Sequence, residues 1–103
     1  MQYMIKEMVQ MKKSVEWDMA KHLDSEEMVT EYLNAALEDG DPAVISAALG
    51  DIARARGMTQ LSRETGISRD GLYKALSATG NPSFIMVQSV IEALGLKLVA
   101  QPA

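Results

Sequence analysis

Residues 58–77 read MTQLSRETGISRDGLYKALS, and their apolar and glycine spacing fits two short helices meeting at a sharp corner. Leu61 and Thr65 face inward from the first helix. Gly66 falls at the turn, where the backbone must adopt left-handed geometry that glycine takes without strain. Ile67 plugs the corner between the helices. Ser68 caps the second helix, whose inner face is Leu72, Ala75 and Leu76. The spacing predicts a helix-turn-helix unit.

That packing leaves a defined set of residues outside. Ser68, Arg69, Asp70, Tyr73 and Lys74 project from the start and outer side of the second helix. A helix so presented reads base edges in a major groove with its N-terminal residues. Arg69 suits a bidentate pair with guanine, and Tyr73 a thymine methyl or a phosphate. Thr59, Gln60, Arg63 and Lys74 suit phosphate contacts, which fix orientation without reading sequence. Asp70 repels phosphate, so it accepts from cytosine or braces Arg69 or Lys74.

A glycine between two amphipathic segments also occurs in ordinary helical bundles, and the flanks decide the matter. Upstream, Asp24 and Glu27 form a D-x-x-E capping pattern for a helix over residues 25–38. Its inner face is Met28, Val29, Tyr32, Leu33, Ala36 and Leu37, with Glu26, Glu27, Thr30, Glu31 and Asn34 outside. Gly40 and Pro42 stop it. A second helix starts with Asp41 as N-cap and Pro42 at its first position, and ends in Arg54 and Arg56 before Gly57. Gly50 inside it costs about 1 kcal/mol against alanine, which points to a close helix contact there. Downstream, Ser83 caps a last helix with Phe84, Val87, Val90, Ile91 and Leu94 inside.

The rest of the chain sets the bounds. At 103 residues and 48% apolar content, the sequence suits one domain with a core of its own. With no cysteine, it has no disulfide framework, no thiolate nucleophile and no cysteine zinc site. No apolar run is long enough to span a membrane, and charges interrupt residues 1–7 where a signal peptide needs an apolar core. A cytoplasmic protein is the expectation. The net charge of −4 is unusual for a DNA binder, since neutralising phosphates drives much of that affinity. Its distribution is uneven: residues 1–51 hold four Lys/Arg against eleven Asp/Glu, and residues 52–103 hold six against three. This suggests one face for an anion and another for a cationic partner, although a merely solvated acidic half remains open.

Residues 1–23 read as a leader. Met1, Met4, Met8 and Met11 recur with Ile5 at near-helical spacing, while Trp17, Met19 and Leu23 alternate as in a short extended stretch. At the other end, residues 96–100 (LKLVA) alternate enough to form a short strand. A lone strand cannot satisfy its amides, so it is expected to pair with a second copy or with the Trp17 region.

Catalysis has little support. His22 is the single histidine, placed beside Asp18 and Asp24 as a surface residue. Neither a P-loop nor a glycine-rich dinucleotide motif is present, and Pro82 spoils the glycosylation pattern at Asn81. The expectation is a binding protein without enzyme activity, metal or cofactor.

The chain resembles the Cro/C1-type (XRE) helix-turn-helix proteins, and more closely the HigA-like addiction module antidote branch. The carrying residues are Tyr32 to Pro42, Leu49 to Gln60, Gly66 to Ser77, Gly80 to Phe84 and Ala93 to Leu98, within a resemblance covering residues 17–103. It implies an antitoxin that neutralises a RelE/HigB-like ribonuclease toxin and represses its own operon by binding double-stranded operator DNA. Thr65, where the motif usually has a larger apolar residue, and Gly71, inside the reading helix, depart from the pattern. Motif geometry adds a homodimer, because one short helix reads too few bases for useful specificity. The alternatives are a stand-alone phage-type repressor, or a protein-interaction module that does not bind DNA. The expected fold is all-α: a five-helix Cro/repressor-like domain over residues 24–103 with a short C-terminal strand.

Overall fold

The computed structural model describes residues 23–103, which fold as five helices. These are α1 (Glu26–Asp39), α2 (Pro42–Arg56), α3 (Met58–Thr65), α4 (Arg69–Ala75) and α5 (Phe84–Ala93). The methionine stripe and the Trp17 stretch expected in the leader lie outside the described residues.

Helix starts follow the side chains that satisfy free amides. The extended residue before α1 is Ser25, whose Oγ accepts from the Met28 N–H at 3.1 Å. The cap is therefore Ser25 and not the expected Asp24, and the helix runs one residue later at each end. Glu26 and Glu27 fill its first turn, where negative charge meets the positive end of the helix dipole. Asp41 caps α2 through the Ala43 N–H at 3.0 Å, with Pro42 at the first position. Ser68 and Ser83 cap α4 and α5 through the amides of Gly71 and Met86. All three of these last caps fall where the sequence predicts them.

The core runs through the centre of the bundle. Leu49 and Ile52 of α2, Leu61 of α3, Leu72 of α4 and Val90 of α5 are its largest fully buried apolar residues. Helix α1 closes one side by packing Tyr32, Leu33, Ala35 and Ala36 on α2. Three residues expected on inner faces are exposed: Met28 and Leu37 of α1, and Phe84 of α5. Phe84 occupies the first helical position, one turn ahead of the point where half-buried Val87 and then Val90 and Ile91 enter the core.

Gly50 meets the expectation of a close contact. A Cβ placed on it would overlap the main-chain carbonyl of Leu76, so α2 and the end of α4 approach backbone to backbone.

The expected C-terminal strand is absent: residues 96–103 carry no regular structure, and no strand occurs among the described residues. Leu96 still donates its N–H to Ile91 and packs on the core, while Leu98 and Val99 are exposed. The alternation of residues 96–100 suits a pleat, but a ladder needs a neighbouring strand edge, and the described residues offer none.

Candidate nucleic-acid interface

The corner between α3 and α4 is built by hydrogen bonds as well as by packing. Gly66 adopts φ 75°, ends α3, and donates its N–H to Ser62. The Ser62 hydroxyl donates to the Ile67 carbonyl at 2.6 Å. The Thr65 hydroxyl donates to the Leu61 carbonyl at 2.8 Å and accepts from the Ile67 N–H at 3.2 Å. Thr65 thus ties both sides of the turn, which a purely apolar residue cannot do. Ile67 packs on the core from the corner, as expected.

At the start of α4, Ser68 Oγ accepts from the Gly71 N–H at 3.0 Å. A Cβ on residue 71 would lie 3.1 Å from that oxygen and 3.4 Å from a methyl of Ile67. Glycine inside this helix therefore leaves the cap room to form. The two departures from the motif, Thr65 and Gly71, both have local structural reasons.

Thr59, Gln60, Arg63, Ser68, Arg69, Asp70, Tyr73 and Lys74 are all exposed, while Leu61, Leu72 and Leu76 behind them are buried. Lys74 pairs with Asp70 at 3.1 Å one helical turn away, so Asp70 braces Lys74 in the free chain. Both are 78% exposed, and such a pair exchanges readily with water and external ions. Glu64 lies 3.8 Å from Arg56, an ion pair outside the expected set. Of the charged residues on α3 and α4, Arg63 and Arg69 have no ion pair among the described residues.

A polar cluster that the sequence reading missed joins α1 and α2. Asp51 is fully buried on α2, amid Leu49, Ile52 and Ala53. Its Oδ2 accepts from the Tyr32 hydroxyl at 2.6 Å, and its Oδ1 accepts from Arg54. Burial pushes the Tyr32 hydroxyl pKa well above its ordinary value. Burial also draws the Arg54 guanidinium below its ordinary value, opposed by the nearby Tyr73 phenol. The available signal was an acidic residue within an apolar helical stripe, three positions before an arginine.

Elsewhere, a groove of about 440 Å³ is lined by Leu23, Val29, Ile52, Ala55, Arg56 and Leu94, among others. Among the described residues, no cluster of histidine and carboxylate side chains has metal-binding geometry, and no helix is long and apolar enough to cross a membrane.

No solved structure matches this chain. A protein of Haemophilus influenzae (strain KW20 / Rd), described as an uncharacterized protein, is 54% identical over 86 residues, covering 84% of this chain and 89% of that protein. A family model described as "Probable addiction module antidote protein" matches residues 13–102. With nearly its whole length matched, including every helix among the described residues, the chain belongs to the probable addiction module antidote protein family.

Proposed function

We propose that this chain is the antitoxin of a type II toxin–antitoxin module, acting in the cytoplasm to neutralise a RelE/HigB-like ribonuclease toxin and repress its own operon. On this reading α3 and α4 form a Cro/C1-type (XRE) helix-turn-helix of the HigA-like branch, with α4 as the recognition helix in operator DNA. The observation that carries the DNA half is the exposure of all eight predicted contact residues on a pair of helices whose apolar positions are buried. Arg69 then reads a base edge, and Thr59, Gln60, Arg63 and Lys74 hold phosphates. A homodimer doubles the sequence read.

Membership of the antidote family supports a toxin partner. A ribonuclease must hold RNA phosphates and so carries cationic surface. Glu26, Glu27, Glu31 and Glu38 lie exposed along α1, which packs on α2, so this face supplies the opposite charge. The role is binding, without catalysis.

A shift assay on the DNA upstream of the chain's own reading frame tests the proposal, with and without the product of the adjacent gene. Affinity should fall steeply with salt and drop at least tenfold in the double variant Arg69→Ala, Lys74→Ala. Binding indifferent to salt and to both substitutions would remove α4 from the DNA. Failure to co-purify with the neighbouring product would remove the toxin.

A further inference from the structure

We propose that Arg54 is a further duplex-contacting residue, a phosphate ligand whose guanidinium is aimed from behind the recognition helix by buried Asp51. The inference rests on the DNA-binding reading and adds to it a residue from α2.

The placement follows from two helix repeats. Gly50 meets the backbone of Leu76, and Arg54, four residues later, lies on the same face of α2. Tyr73 lies on α4 one turn before Leu76 and is exposed. The close approach of α2 to the end of α4 at Gly50 brings Arg54 within electrostatic reach of the Tyr73 phenol.

Burying a carboxylate in an apolar helix stripe is costly unless it is paired and hydrogen-bonded, and such pairs often stabilise no more than apolar residues would. A helix that needed only a core would carry an apolar residue at position 51. Asp51 instead has both oxygens engaged, one by Tyr32 and one by Arg54, and it is fully buried while the Arg54 side chain is 32% exposed. The arrangement holds one arm of a guanidinium on a buried carboxylate while part of the Arg54 side chain stays exposed. Arginine presents five N–H donors in a rigid fork, so one arm on a carboxylate leaves donors for a phosphate oxygen. Tyr32 and Asp51 are positioning residues here, since they act through Arg54.

The paired substitution Asp51→Asn with Arg54→Ala tests this, because it leaves the net charge unchanged and removes both members of the ion pair together. Fluorescence anisotropy on the upstream duplex over a series of salt concentrations compares it with the unaltered chain and with Arg69→Ala. The expected result is a roughly tenfold loss of affinity and a log–log salt slope shallower by about one. Arg54→Gln carries the same readouts if the double variant fails to fold. Wild-type affinity and slope, or weaker binding with an unchanged slope, overturns the phosphate contact. If Arg69→Ala weakens binding while the Arg54 variants do not, only this inference falls. If the unaltered chain shows no salt-dependent binding to duplex, the DNA reading falls and this inference with it.

Discussion

Gly50 presses directly on the main-chain carbonyl of Leu76, so that no side chain, not even a methyl group, fits between α2 and the end of α4. Because the obstructing atoms are backbone, no rotamer change relieves the clash. Gly50→Ala gains about 1 kcal/mol of helix propensity but forces the helices apart, at a cost of about 3 kcal/mol. The net loss of about 2 kcal/mol should lower the melting temperature by roughly 8–16 °C in calorimetry. A variant at least as stable as the parent would refute the close approach.

Tyr32 gives the fold an alkaline limit. The residue is 2% exposed, its hydroxyl donates to Asp51, and burial raises its pKa above the ordinary 10.0. Below pH 10 the residue is neutral in both folded and unfolded chains. Above that, the unfolded chain releases the proton while the folded chain holds it, so stability falls as pH rises, by up to about 1.4 kcal/mol per pH unit from this residue. Tyr32→Phe should cost about 1–3 kcal/mol at neutral pH by leaving Asp51 short of a donor, yet flatten the decline above pH 10. Urea unfolding at several pH values separates the two effects.

Thr65 distinguishes a polar corner from an apolar one. Thr65→Val keeps the shape and removes bonds to Leu61 and Ile67. The expected change is a destabilisation of about 1 kcal/mol, read from the urea midpoint. A stabilised variant would mean that the position prefers a hydrocarbon.

On the proposed DNA-binding reading, Asp70 restrains α4. Asp70→Asn removes a negative charge from α4 and releases Lys74 from its exposed pair. Folding stability should move by less than about 0.5 kcal/mol. Affinity for a scrambled duplex should rise severalfold at low salt, measured by anisotropy, because one repulsion of phosphate is gone. Unchanged or weaker binding would place Asp70 away from the backbone.

How much was legible depends on where each signal lies along the chain. The corner at Gly66, the caps Asp41, Ser68 and Ser83, and the tight contact at Gly50 all read correctly, since turns, caps and helix-interior glycines declare themselves within a few residues. The exposure of the eight contact positions followed from helix geometry once that corner was placed. Asp51 was missed because its partner Tyr32 comes from a different helix, and only the packing of α1 on α2 joins them. Phe84 and Leu37 were placed inside because periodicity marks a face but not how far the neighbouring helix extends along it. The alternation of residues 96–100 reports what a segment can pair with, and the described residues supply no strand edge for it.

The exposure of those eight side chains separates address from architecture. Arg69, Asp70 and Lys74 are absent from the buried core, so exchanging them alters the surface at little thermodynamic expense. On the proposed DNA-binding reading, closely similar copies of this scaffold would serve different operators side by side in one genome, provided that Gly50, Gly66 and Leu72 stay as they are.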